Sequence, residues 1–88
     1  MPEFYTYILF SDSLGKYYTG STEDLESRLR YHNKGNVQFT STGVPWKLVW
    51  SQKSGTRKDA LKLENKIKKR GAGRYLKDLR VDLGSAWR

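Results

Sequence analysis

Apolar and polar residues follow two different periods along this chain, and each change of period marks an element. Phe4–Phe10 is aromatic and β-branched, with Phe4, Thr6, Ile8 and Phe10 on one side and Tyr5, Tyr7 and Leu9 on the other, which predicts a strand. Asp12, Ser13 and Gly15 punctuate a turn, and Lys16–Gly20 reads as a second strand, so the chain opens with a β-hairpin. The period then lengthens to that of a helix, with Leu25, Arg28, Leu29 and His32 at i, i+3, i+4 and i+7. Ser21 or Thr22 is the expected cap, Glu23 and Asp24 suit the first turn, and the helix ends near Asn33 with Gly35 as its stop.

Asn36–Pro45 is rich in Thr, Ser, Gly and Pro and reads as an exposed loop. Trp46–Gln52 predicts a third strand, ended by Ser54 and Gly55. Thr56 can cap a long helix through about Arg70, in which Ala60, Leu63, Glu64 and Ile67 repeat the inward spacing. Gly71 and Gly73 are expected to break it, and Arg74–Arg80 to form a short third helix. Val81–Arg88 has no decisive pattern, and Trp87 either packs back or ends the chain frayed. The order β-β-α-β-α-α predicts an α+β fold, a small three-stranded antiparallel sheet flanked by helices.

Both inward stripes carry charge. Arg28 and His32 interrupt the first, and Glu64 interrupts the second. Desolvating such groups is costly unless they are paired or used. The 88 residues fit a single domain, 1–88, and a chain this short buries roughly 60% of its unfolded surface. Polar residues on its inward faces therefore weigh heavily. Two readings are open: an Arg28–Glu64 ion pair beneath a thin core, or a functional site.

The formal net charge is +8. Its excess lies between Lys53 and Arg80, where only Asp59, Glu64 and Asp78 oppose a run of lysines and arginines. A face of this kind suits a polyanion, with nucleic acid first and an acidic membrane surface the weaker alternative. Lys66, Lys69, Arg70, Arg74 and Lys77 are the candidate nucleic-acid contacts. The absence of cysteine excludes a disulfide framework and a thiolate zinc site. No apolar run is long enough for a membrane span or a signal sequence, and the expected location is cytoplasmic.

Taken in order, Tyr7, Tyr18, Gly20, Arg28, His32 and Glu64 form a set that resembles the GIY-YIG nuclease family. Tyr5-Thr6-Tyr7 stands at the first half-motif and keeps its last tyrosine, while Tyr18-Thr19-Gly20 keeps the outer residues of the second. Arg28 follows Tyr18 by ten residues, and His32 lies one helical turn further on. Glu64 sits in Ala60-Leu61-Lys62-Leu63-Glu64, as the family's metal-binding glutamate does. The likeness runs from about Phe4 to Leu79 and is nearest to small stand-alone members. The N-terminal nuclease domain of the bacterial excinuclease is a more distant likeness. Two departures stand out: Ser21 replaces a lysine that some members carry after the Tyr-x-Gly, and Leu76 stands where some carry an asparagine.

The resemblance implies a one-metal endonuclease acting on DNA, with RNA not excluded. Glu64 would hold Mg²⁺ or Mn²⁺, and Arg28 would grip a phosphate through its planar fork. Tyr7 would act as general base or hold the attacking water, helped by His32, with Tyr18 supporting water or phosphate. Arg28 and the metal are expected to lower the Tyr7 pKa. Gly20 would allow close backbone approach. Low sequence specificity is expected, together with structure-specific or repair-related recognition. The alternative is a non-catalytic module that binds nucleic acid on the same basic face. Oligomeric state is open.

Overall fold

A computed structural model describes residues 3–35 and 41–87, with side chains through residue 79. Residues 36–40 of the expected loop and the packing of Trp87 lie outside the described part. The strands are β1 (Phe4–Ser11), β2 (Lys16–Thr22) and β3 (Trp46–Ser54). They form an antiparallel sheet in the order β2-β1-β3. The helices are α1 (Leu25–Asn33), α2 (Arg57–Arg70) and α3 (Ala72–Trp87). The α+β architecture expected from the sequence is therefore present.

As the central strand, β1 is covered on both faces, and this explains why it lacks a polar side. Thr6 and Ile8 are fully buried on one face. The Thr6 hydroxyl donates to the Ala60 carbonyl at 2.8 Å, which satisfies a buried polar group and fixes α2 on that side. On the other face Tyr7 and Leu9 pack with Trp46, flanked by Tyr18, Leu25, Leu29 and Val44. The Leu25 and Leu29 contacts set α1 on this second face. Trp50 lies opposite Ile8 and Leu48 opposite Leu9, so Val49 is an extra residue in β3. Trp50 meets Tyr75 of α3 edge-on, with ring centroids 5.4 Å apart.

Three local expectations change. The cap of α1 is Asp24, whose carboxylate accepts the Ser27 N–H at 3.1 Å, rather than Ser21 or Thr22. Those two residues still pair with Thr6 and Tyr5 in the ladder, so the sheet claims them first. Gly71, at φ 92°, ends α2 by itself, and α3 begins at Ala72 with Gly73 inside it. A Cβ at Gly73 would lie 3.2 Å from the Tyr17 ring, so this glycine serves close packing rather than helix breaking. The third helix then continues through Val81 to Trp87 instead of stopping near Arg80. Thr56 caps α2 as expected, accepting the Asp59 N–H at 3.1 Å.

The far end of α1 is tied to the sheet. Asn33 accepts the Trp46 N–H at 2.6 Å and donates to the Trp46 carbonyl at 3.1 Å. One amide side chain thus substitutes for a neighbouring strand at the start of β3 and holds the helix that carries Arg28 and His32. Asn33→Ala should cost about 1–2 kcal/mol, the scale for stranding partly buried backbone groups. For a domain of this size that corresponds to a Tm lower by roughly 4–15 °C in a thermal melt. An unchanged Tm would show that water replaces the amide without loss.

Candidate active site

Tyr7 lies at the middle of β1, opposite Gly20 of β2, and is 2% exposed. A Cβ at position 20 would stand 2.6 Å from the Tyr7 hydroxyl oxygen, so the phenol occupies space that only glycine leaves open. Tyr18, two residues before Gly20, shares that face, and its ring centroid lies 6.4 Å from that of Tyr7. From α1, fully buried His32 brings Nε2 to 3.2 Å from the Tyr7 hydroxyl. Arg28, one turn earlier, stands beside the Tyr7 hydroxyl, where its guanidinium favours the ionised phenol. Its Nε is buried with no protein partner.

Glu64 approaches from the other layer of the fold. The Ser21 hydroxyl at the end of β2 donates to one carboxylate oxygen at 2.6 Å, and Lys68 donates to the other at 2.5 Å. The Glu64 side chain is 14% exposed. Its charge is close enough to Tyr7 to act on the phenol's ionisation. The Arg28–Glu64 ion pair considered from the stripes does not form. The two helices lie on opposite faces of the sheet, so their inward stripes look toward the sheet and not toward each other.

Electrostatics assign the protons. Burial raises the Tyr7 pKa above its ordinary 10, and this outweighs the opposing effect of the Arg28 guanidinium. The expected lowering by Arg28 is present but is the smaller influence. Burial first, and then the Arg28 charge, hold His32 below its ordinary 6.5. Arg28 itself is raised, mainly by its nearness to Tyr7. At neutral pH the group is thus guanidinium, phenol and neutral imidazole. The Tyr7 hydroxyl and His32 Nε2 share one hydrogen bond, whose direction follows the imidazole tautomer.

The structure gathers Tyr7, Tyr18, Gly20, Arg28 and His32 into one cluster, with Glu64 at its border. The basic candidates are not part of it. Lys66 lies with Lys62, Gln52, Ser54 and Asp59 in an open cleft on the β3 flank of α2, away from Ser21. Arg70 is held by Asp78 through two bonds of 2.8 and 3.0 Å. Lys69, Arg74 and Lys77 are exposed. Sequence reasoning did not place Lys68 or Tyr31 at the site. Both stand at spacings that could have shown it, Lys68 four residues after Glu64 and Tyr31 three after Arg28.

Among the described residues no group of three or more His, Cys, Asp or Glu side chains could hold a metal ion. A single partly enclosed carboxylate, however, fits Mg²⁺ or Mn²⁺, which take one protein oxygen and complete their shell with water and phosphate. No helix among the described residues is long and apolar enough to cross a membrane.

Comparison with known proteins identifies the family and the fold. The family model for the GIY-YIG catalytic domain matches residues 3–75. A UPF0213 protein of Staphylococcus saprophyticus is 36% identical over 69 residues, which cover 77% of this chain and 83% of that protein. A UPF0213 protein of Streptococcus pneumoniae is 33% identical over 57 residues, covering 64% of this chain and 58% of its relative. The solution NMR structure of a UPF0213 protein from Bacillus halodurans has a TM-score of 0.52 and 29% identity, covering 92% of this chain and 84% of that one. The name UPF0213 states no activity.

The state of His32 carries a pH signature. In the unfolded chain it protonates near its ordinary 6.5, and in the folded protein only at lower pH. Between those values the unfolded state binds more protons, so stability falls as pH drops below about 6.5. Thermal melts from pH 8 to 5 should show this decline in the wild type and a shallower one in His32→Gln. Parallel curves would mean that His32 does not titrate differently in the two states.

Proposed function

The chain belongs to the GIY-YIG nuclease family, and from that premise we propose that it is a divalent-metal-dependent endonuclease that hydrolyses DNA phosphodiester bonds. One observation carries the reading: a buried phenol whose hydroxyl is held between a guanidinium and a neutral imidazole, with a carboxylate entering from the opposite layer. A structural tyrosine has no need of both partners.

In the proposed reaction a water oxygen bonds to phosphorus, the bridging bond to the leaving sugar oxygen breaks, and that oxygen takes up a proton from solvent. Arg28 holds the non-bridging oxygens. Its donors fit them, and its buried, unpartnered Nε adds a donor beside the site. Tyr7 receives the proton of the attacking water as its own O–H proton passes to His32 Nε2. The pair thereby avoids an isolated phenolate, which burial disfavours. Tyr18 borders the same water. Glu64 would hold the Mg²⁺ or Mn²⁺, which when bound supplies positive charge to the leaving oxygen. Among the described residues no sequence-reading element accompanies the cluster, so base specificity at this site should be low.

A second reading, a non-catalytic nucleic-acid-binding module, draws on Glu64, whose carboxylate oxygens are both occupied by Ser21 and Lys68. Single-turnover cleavage with Mn²⁺ decides between them. Glu64→Gln retains the Ser21 contact and should keep fold and DNA affinity while losing cleavage. Tyr7→Phe deletes only a hydroxyl and should slow cleavage by about 10²-fold or more. A wild-type rate for Tyr7→Phe would exclude the phenol as base or water-holder, and undiminished cleavage by Glu64→Gln would remove the metal role.

Binding in either reading should weaken steeply with salt, with a log–log slope of roughly −0.9 per phosphate contacted on duplex DNA. A flat response would argue against a phosphate-contacting face.

A further inference from the structure

Tyr31 stands beside the cluster with 42% of its surface exposed. The Arg28 guanidinium carbon lies 5.1 Å from its ring centroid, over the ring face. The same guanidinium stands beside Tyr7, and His32 meets Tyr31 edge-on with ring centroids 6.5 Å apart. Other exposed apolar residues, such as Leu14, Val49 and Leu61, have no cation of the site against them in this way. An aromatic ring is thus held in place at the border of the cluster by the group read as the phosphate grip.

We propose that Tyr31 is a stacking platform for an unpaired nucleobase of the strand whose phosphate Arg28 holds, so that flapped, branched or single-stranded DNA is preferred over continuous duplex. The proposal rests on the reading of Arg28 as the phosphate-holding group. A phosphate and its base are joined through one sugar. Neighbouring protein groups that take a phosphate and a π-face therefore address the same or adjacent nucleotides. Within a duplex each base is already stacked on its neighbours and has no face to offer. An unpaired base has one, whatever its identity, which gives selectivity for DNA structure without selectivity for sequence. The guanidinium against Tyr31 fixes the ring through cation–π attraction and limits the ordering left to occur on binding.

A merely structural Tyr31 would clamp Arg28 and nothing more. Its loss would then weaken flapped and duplex DNA alike, because phosphate contacts do not distinguish them. The test uses anisotropy titrations in EDTA, so that cleavage does not intervene, with a fluorescein-labelled flap and a duplex of matching sequence. A second flap carries 2-aminopurine at the unpaired position beside the junction. Wild type and Tyr31→Phe should quench the 2-aminopurine. Tyr31→Ala should leave it unquenched and weaken flap binding about 5- to 150-fold more than duplex binding, the span of one base–aromatic stack. Equal losses on both DNAs, or a flap affinity that does not change, would overturn the platform. Cleavage of the same flap by the wild type in Mn²⁺ is scored separately. Tyr31-dependent quenching without cleavage keeps the platform and removes the nuclease reading, whereas cleavage without quenching does the opposite.

Discussion

A phenol buried in the central strand of a small sheet must have its hydroxyl satisfied, and most of the site follows from how this is done at Tyr7. Gly20 leaves the space, Arg28 stands beside the oxygen, and His32 Nε2 shares its hydrogen bond. Each partner depends on the others. Removing the hydroxyl would leave a buried imidazole nitrogen and a guanidinium short of a partner at once. The cost of an unmade buried hydrogen bond exceeds the gain from a made one, so such a triad is held together as a unit. The same constraint defines the chemistry, because a phenol bonded to a neutral imidazole has somewhere to send its proton.

The sheet separates the two halves of the site. Arg28 and His32 arrive on α1 from one face, anchored at the helix end by Asn33 on Trp46. Glu64 arrives on α2 from the other face, anchored by the Thr6 hydroxyl on the Ala60 carbonyl one turn earlier. Two short polar anchors therefore set the relative position of groups that never touch directly. This suits the proposed reaction, in which an anion would lie between a guanidinium and a carboxylate-bound cation. A direct Arg28–Glu64 pair would neutralise both groups and leave nothing for a phosphate.

The elements that rest on local chemistry were legible in the sequence. The hairpin, the inward stripes of α1 and α2 and the Thr56 cap each depend on residues a few positions apart. The errors share a different origin. Asp24 rather than Thr22 caps α1 because the register with β1 extends β2, and that register is a long-range fact. Gly73 looks like a breaker in sequence, yet its role is to admit Tyr17, which is distant in the chain. The stripes showed that Arg28 and Glu64 face inward but not that they face opposite sides of a sheet. The cluster of Tyr7, Tyr18, Gly20, Arg28 and His32 was found through ordered spacing and a family resemblance, since no single short motif among them is specific. The basic candidates were chosen by charge density alone, which does not say that Arg70 is spent on Asp78 or that Lys66 lies on the β3 flank.

Position 21 shows how a charge can reach a site from a neighbouring element. The family resemblance marks Ser21 as a departure, since a lysine after the Tyr-x-Gly is the pattern expected of some members. Ser21 and Lys68 share the Glu64 carboxylate, one on each oxygen. An ammonium group from α2 thereby stands near position 21. Lys68 is half exposed, and an i, i+4 pair in that setting adds little to stability. Its position matters more than its contribution to folding. A flexible lysine that balances a lone carboxylate can leave it when a stronger counter-charge arrives, and its long stem lets the ammonium turn to a nearby phosphate. Near position 21 the positive charge thus comes from α2, on a movable side chain.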